Sequence, residues 1–360
     1  MKSILFLAMN LNSGGAERQM VTIATAMKEK GYDVTIACYE EGDFFLEELN
    51  KNGIRVIWLL QKRVFARLVA FRSFIKRCKY DVVISFLETP NILNCYAAFG
   101  QHDWRVITGE RSAKVELLTS SRGRFVAWLQ RRTDALVCNS YNSASMWRRY
   151  YPYLNKKLTT IYNMVNISPN DSYKRAVDRS QRIKIVVAAS YQYLKNPINV
   201  VRAIALLSEV EKNRLSLEWY GNPHAIPSAY EEMNSLIHVL HLEESITLYE
   251  ATKDIHAIMI AADFVGLFSS VEGLPNAICE AMMLGKPILL SRVSDYHTLV
   301  QGNGFLCDGN SPESIRDALR KALSLTPAEM QSMGEKSYSM ASQLFSKDKI
   351  INQWERLINS

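Results

Sequence analysis

Two glutamates, Glu272 and Glu280, stand eight positions apart in the stretch SSVEGLPNAICEAMMLGKP, with Gly273, Leu274, Pro275 and Asn276 between them. An ionised carboxylate only accepts hydrogen bonds, so such a pair suits ligand hydroxyls and not phosphates. The apolar run after Pro275 reads as a helix that Gly285 ends and Pro287 forbids from continuing. Glu280 then lies just over one turn inside the helix and Glu272 in the loop before it. A rise of about 1.5 Å per helical residue plus a short extended piece separates them by about 10–15 Å. That is too far for the paired carboxylates of a glycosidase. It matches a grip on the two ends of a nucleotide-sugar, with the diphosphate against the helix N-terminus between them. For an arbitrary pair at this spacing, a solvated loop acid beside a helix acid paired to a cation would be the better explanation, so the flanking elements must decide.

Three further stretches could carry chemistry. NSGGAER places Gly14 and Gly15 where a strand opens into a helix, so that backbone can approach a phosphate; a plain tight turn is the alternative. AASYQYLKNP places Lys195 just before the helix-opening Pro197, where a lysine could neutralise a leaving phosphate or stand in an exposed loop. TGERSAK places Glu110 and Arg111 after a strand, either projecting toward a ligand or paired with each other. The glycines fit neither G-x-G-x-x-G nor G-x-x-x-x-G-K-[ST], so nicotinamide and P-loop chemistry are unsupported. The six histidines lack zinc-ligand spacing, and no G-x-S-x-G or H-E-x-x-H motif is present. The reading therefore needs no cofactor and no metal.

The elements that must position these residues alternate strand and helix from the first strand, SILFLAM, onward. Met20, Ile23, Ala24 and Met27 recur at helical spacing, Gly31 closes that helix, and DVTIACY is the next strand. Strand-like IRVIWL, DVVISF, WRVITG and DALVCNS follow, with helices expected near 64–78, 90–100, 114–131 and 140–150. A second series, IKIVVAAS, LSLEWYG, SITLY, DFVGLFSS and KPILLS, alternates with helices near 197–211, 228–239, 253–262, 276–284 and 312–324. Such alternation predicts two α/β domains with parallel sheets covered on both faces. The boundaries read as domains over 1–167 and 183–345, a polar linker over 168–182, and a last helix over 346–360 packing back onto the first domain. Ligands in such sheets sit beyond the carboxyl ends of the strands, where all four stretches fall.

The chain has 360 residues and a net charge of +7, unevenly placed. Residues 1–160 carry 24 Lys and Arg against 14 Asp and Glu, whereas residues 161–360 carry 19 against 22. In RVFARLVAFRSFIKRCK, Val64, Leu68, Phe71 and Ile75 form a helical stripe among cations, and RGRFVAWLQRR sets aromatics beside arginines. These point the first half, through Arg18, Arg63, Arg67, Arg72, Arg122 and Arg124, toward an anionic membrane surface or acceptor. The stripe also suits a helix packed on its own sheet. With no recognised motif, nucleic acid is not expected as a partner. The six scattered cysteines read as reduced thiols of a cytoplasmic protein. MKSILFLAMN has too short an apolar core for a signal peptide, and no run reaches the length of a membrane span.

Taken together, these motifs resemble family-4 retaining glycosyltransferases over nearly the whole chain. The resemblance is carried by LNSGGAERQMVTIATAM, IYNMVN, VVAASYQYLKNP, WYGN with Gly221, the block around Glu272 and Glu280, and GNGFL. SFLETPN and GERS are similar to the subgroup that extends lipid-linked or surface polysaccharides. The resemblance implies the GT-B fold, two Rossmann-like domains with parallel sheets facing across a cleft. It implies a nucleoside-diphosphate sugar, UDP-linked by expectation, as donor and a lipid-linked glycan as acceptor at the inner face of the cell membrane. It implies that Glu280 holds the ribose, Glu272 the transferred sugar and Lys195 the diphosphate. Backbone from Gly273 to Asn276 would touch sugar and diphosphate, and Gly14 and Gly15 would close over the donor. One departure stands out: Ser190 occupies the position where the family carries an arginine, the second cation on the leaving diphosphate. Losing such a contact in a dry site costs about a few kcal/mol of transition-state stabilisation. Either Arg111 or Arg18 substitutes, or catalysis is impaired and the chain is a nucleotide-sugar-binding subunit; a GT-B sugar epimerase is a further alternative.

Overall fold

The structure is a computed structural model that describes residues 2–12, 14–111, 115–167 and 182–360. The linker expected over 168–182 thus lies outside the described residues except for Arg182, as do Ser13 and the segment 112–114. Two compact units emerge: Met1–Asn166 with Ser346–Ser360, and Ile167–Phe345.

The first unit is built on strands β1 (Ser3–Ala8), β2 (Asp33–Cys38), β3 (Arg55–Trp58), β4 (Val82–Phe86), β5 (Arg105–Glu110), β6 (Ala135–Cys138) and β7 (Leu158–Thr160). They pair in parallel in the order β3-β2-β1-β4-β5-β6-β7. The second unit uses β8 (Ile183–Ala188), β9 (Leu215–Gly221), β10 (Ile246–Glu250), β11 (Phe264–Leu267), β12 (Ile288–Ser291) and β13 (Gly304–Cys307), parallel in the order β10-β9-β8-β11-β12-β13. The central strands are apolar throughout because helices cover both faces; β4 and β11 are buried at every residue. In each sheet the strand order reverses once, between β1 and β4 and between β8 and β11. Chain leaving such neighbouring strands turns to opposite faces and opens a crevice at their carboxyl ends.

Helix limits depart from the sequence pattern where capping intervenes. The helix expected over 197–211 is two helices, Pro197–Ala205 and Glu209–Asn213, because Ser208 and Glu211 form a reciprocal capping box that starts the second. The one expected over 114–131 divides into Val115–Thr119 and Ser121–Leu129, the latter capped by Ser120, whose Oγ accepts from the Gly123 N–H at 3.0 Å. The helix Pro327–Phe345 has no counterpart in the pattern. Its buried face includes Gly334, Ser337 and Ala341, small residues that let it abut the core: a Cβ on Gly334 would stand 2.2 Å from the Gly285 carbonyl oxygen.

The helix Lys347–Asn359 belongs to the first unit. Lys2 Nζ donates to the Ile358 carbonyl at 3.0 Å, and Arg105 Nη1 to that of Ser360 at 3.0 Å. Trp354 is fully buried with its ring 5.9 Å from that of Phe86, the last residue of β4. Replacing it by alanine should lower the unfolding free energy by about 3–5 kcal/mol, read as an earlier urea midpoint for the first unit with the second unchanged.

Candidate functional site

In the second unit the loop after β8 is pinned to its neighbours. Tyr191 is buried, and its hydroxyl lies 2.9 Å from the carbonyl oxygens of both Trp219 and Tyr249. The Trp219 indole donates to the Ala189 carbonyl at 2.7 Å. Gly221 must be glycine, since a Cβ there would stand 2.1 Å from that same oxygen. Ser190 is therefore held at a fixed place at the end of β8. Past it, a tight turn over Tyr193–Lys195 ends at Asn196, whose backbone is left-handed (φ 56°) and whose Nδ2 donates to the Phe268 carbonyl at 2.8 Å. The Ser270 N–H donates to the Leu194 carbonyl at 2.8 Å. The loops after β8 and β11, on either side of the strand-order reversal, are thus one hydrogen-bonded assembly.

That assembly brings Lys195 and Glu272 together as a direct ion pair in which both side chains are more than four-fifths buried. Ser269 Oγ donates to the same carboxylate at 2.6 Å, and Ser291 Oγ fixes the Ser269 carbonyl at 2.6 Å. Ser294 Oγ donates to the Gly273 carbonyl. Leu274 is buried, and Pro275 is the N-cap of the helix Asn276–Met283 rather than part of its first turn. It serves as a cap because its carbonyl accepts from the N–H groups of Ile278 and Cys279, both at 3.1 Å. Glu280 lies inside this helix and is not part of the Lys195 pair. Its Oε2 meets Nε2 of His256, from the helix Ile255–Ile260, at 3.2 Å. Sequence spacing gave no hint of His256, because its partner is 24 residues away on another element.

In the first unit, Gly14 is the N-cap of the helix Gly15–Glu29, and the Glu17 carboxylate folds over it; the atom nearest a Cβ on Gly14 is Glu17 Oε2, at 2.1 Å. This helix N-terminus thus carries an acid of its own. Glu110 ends β5. Its Oε1 accepts from Asn91 Nδ2 at 3.2 Å and Gln130 Nε2 at 3.4 Å. Burial, reinforced by the nearby Glu88 carboxylate, pushes the Glu110 carboxyl up to about 7. Arg111 lies over the Phe86 ring at 3.8 Å and donates through Nη1 to Asn163 Oδ1 at 2.8 Å, while its Nε and Nη2 are buried without a hydrogen-bond partner. Burial lowers it to about 10, so it remains a cation at neutral pH. Glu110 and Arg111 border one cavity of about 310 Å³ with Met9, Leu87 and Trp147.

Three of the six arginines expected to face an anion, Arg67, Arg72 and Arg122, make contacts within the unit. Arg67 donates to the Gln61 carbonyl and stacks on Tyr39, with its centre 3.9 Å from the ring. Arg72 donates to the carbonyls of Tyr96, Ala97 and Phe99, closing the C-terminus of the helix Glu88–Ala97. Arg122 pairs with Glu88. Arg18, Arg63 and Arg124 are exposed. The apolar stripe on Val64–Cys78 is also corrected: Phe71, Phe74 and Ile75 are buried, whereas Val64, Phe65 and Val69 face solvent. Among the described residues, no group of His, Cys, Asp and Glu could hold a metal ion.

Two family models match consecutive parts of this chain: Glycosyltransferase Family 4 over residues 13–169 and Glycosyl transferases group 1 over residues 170–340. The chain is 27% identical to the GalNAc-alpha-(1->4)-GalNAc-alpha-(1->3)-diNAcBac-PP-undecaprenol alpha-1,4-N-acetyl-D-galactosaminyltransferase of Campylobacter jejuni, over 78% of this chain and 77% of that relative. It is 25% identical to an uncharacterized glycosyltransferase of Haemophilus influenzae over 99% of this chain and all of that one. Among solved structures, Anabaena Alr3699/HepE in complex with UDP and glucose superposes over the full length of both chains with a TM-score of 0.84 at 19% identity, which establishes a shared fold.

The raised Glu110 carboxyl has a consequence for stability. In the folded state it holds its proton to about pH 7, whereas the unfolded chain releases it near the ordinary value of 4.5. The folded state therefore binds more protons between these limits, and stability contributed by Glu110 falls as pH rises from 4.5 to about 7. Glu110→Gln should flatten that part of the curve of melting temperature against pH, measured by differential scanning calorimetry on both proteins.

Proposed function

This chain belongs to glycosyltransferase family 4 and has its GT-B fold, and on that premise we propose which groups handle its substrates. The donor is a UDP-sugar carrying an N-acetylhexosamine or a hexose, and the acceptor is a lipid-linked or polysaccharide glycan at the inner face of the cell membrane. The observation that carries the donor site is the meeting of Lys195 and Glu272 at the strand-order reversal of the second sheet, beside the N-terminus of the helix Asn276–Met283. The Campylobacter relative, named for transfer of N-acetylgalactosamine onto an undecaprenol-linked glycan, supports the acceptor class.

In this reading the donor diphosphate takes Lys195 as its cation, and the helix N-terminus faces it with a positive dipole end. Glu272, released from Lys195, accepts hydrogen bonds from hydroxyls of the sugar, and Glu280 from those of the ribose. His256 fixes the Glu280 carboxylate before the nucleotide arrives. Backbone from Gly273 to Asn276 lines the sugar and diphosphate. The family retains configuration. An acceptor hydroxyl attacks the anomeric carbon from the face the diphosphate leaves, the C–O bond to phosphate breaks, and the departing phosphate oxygen takes the hydroxyl proton. Lys195 stabilises the charge that develops on that oxygen, a contribution of about a hundredfold or more in rate for one such donor. The membrane part rests on charge and on the exposed Val64, Phe65 and Val69 beside exposed Lys62 and Arg63. Among the described residues no helix is long and apolar enough to cross a bilayer.

Ser190 favours a second reading, in which the chain binds the donor but turns it over poorly. Transfer of isotope-labelled sugar from UDP to an undecaprenyl-diphosphate glycan separates the two. Lys195→Ala and Glu272→Ala should each slow transfer by at least a hundredfold, and rates equal to wild type would remove both role assignments. If donor binds normally yet neither the wild type nor Ser190→Arg transfers sugar, the binding-subunit reading replaces the enzymatic one.

A further inference from the structure

The Glu280 carboxylate is held from outside its own helix. That helix, Asn276–Met283, buries Ile278, Cys279, Ala281, Met282 and Met283 against β11, β12 and the helix Pro327–Phe345, so the backbone at Glu280 is fixed. The side chain is only 20% exposed, and its hydrogen-bond partner among the described residues is Nε2 of His256. A carboxylate only accepts, so the hydrogen of this 3.2 Å contact sits on Nε2. An imidazole donates from that atom whether or not it is charged, so the contact orients Glu280 without needing to neutralise it. His256 in turn stands on the helix Ile255–Ile260, which Met259 anchors in the core. The imidazole itself is 37% exposed and fills no core space, so what it supplies is the hydrogen bond and not packing.

Ribose presents adjacent 2′- and 3′-hydroxyls, both donors, and the two oxygens of one carboxylate can accept from both while Oε2 keeps its bond to His256. Holding the carboxylate matters most when a ligand lacks one of these hydroxyls. A glutamate free to turn would swing toward water, and the missing contact would cost little. A glutamate held in place stays dry and unpaired, and the ligand bears the full desolvation penalty of that oxygen. We propose that His256 is a specificity-determining positioning residue: by pinning the Glu280 carboxylate, it makes the donor site select a ribonucleoside diphosphate-sugar over its 2′-deoxyribonucleoside counterpart. The proposal rests on the reading of Glu280 as the ribose acceptor, and it narrows the donor class by naming the residue from which that contact draws its selectivity.

Calorimetric titration of the full chain with UDP and with 2′-deoxy-UDP tests this without requiring turnover. Wild type should bind UDP tighter by about tenfold or more, the range set by leaving one buried polar group unpaired. His256→Ala and His256→Phe, the second of which keeps a ring but has no donor, should shrink that preference to about threefold or less, chiefly by weakening UDP. His256→Gln, which restores an N–H donor, should recover it. In a Glu280→Ala background, His256→Ala should change neither affinity. Ligand-free melting temperatures at the wild-type value report an intact fold in each variant. A merely structural role for His256 would weaken both nucleotides equally and leave their ratio intact, and that result would overturn the proposal, as would a wild type that binds both alike. The two readings fail separately. If Glu280→Ala erases the preference while His256→Ala and His256→Phe keep it, the ribose role of Glu280 stands and the role of His256 falls. If Glu280→Ala keeps the preference, Glu280 does not hold the ribose and both fall.

Discussion

Both candidate sites depend on one constraint: a parallel sheet whose strand order reverses leaves a gap at its centre that no crossover helix covers. β1 and β4 make this gap in the first sheet, β8 and β11 in the second. Because the central strands are parallel and buried on both faces, their polar and reactive side chains gather where the strands end. Glu110 is the last residue of β5, and Lys195, Glu272 and Arg111 follow carboxyl ends of strands, for that reason. What differs between the units is how the loops there are held.

In the second unit the holding is by hydrogen bonds that begin in the sheet. Tyr191 closes onto β9 and β10, Asn196 onto the end of β11, and Ser291 at the end of β12 onto Ser269. Lys195 and Glu272 therefore meet through a frame in which few torsions are free, which is the condition for electrostatic stabilisation without reorganisation. The ion pair keeps two partly buried charges satisfied while no substrate is present, since either charge alone would carry a desolvation penalty. In the first unit the arrangement is the opposite: Arg111 is buried with donors to spare, and Glu110 is a carboxyl group that burial keeps protonated up to about pH 7.

The sequence carried the α/β alternation, the parallel sheets and the stretch around Glu272 and Glu280, because apolar runs and glycine or proline stops act locally. It did not carry the pairings made across elements. His256 meets Glu280 only because the helix Ile255–Ile260 and the helix Asn276–Met283 lie side by side. The helix Pro327–Phe345 escaped because its buried face, Met330, Gly334, Ser337, Ala341 and Phe345, has Gly334 and Ser337 at its centre, which interrupt the apolar periodicity. Arg67 and Arg72 looked like free surface charge, yet an unpaired helix C-terminus and an aromatic ring absorb them. Ser190 was legible as a departure from the family, but the rigidity of its surroundings follows from Trp219 and Gly221, residues that no spacing rule connects to it.

The most direct measurement is a crystal structure of the full chain with an intact, non-hydrolysable UDP-sugar. The phosphate that carries the sugar should lie within hydrogen-bond distance of Lys195 Nζ, the ion pair with Glu272 should be open, and a sugar hydroxyl should occupy the Glu272 carboxylate. A nucleotide-sugar bound elsewhere, with Lys195 and Glu272 still joined, would contradict the assignment of the donor site.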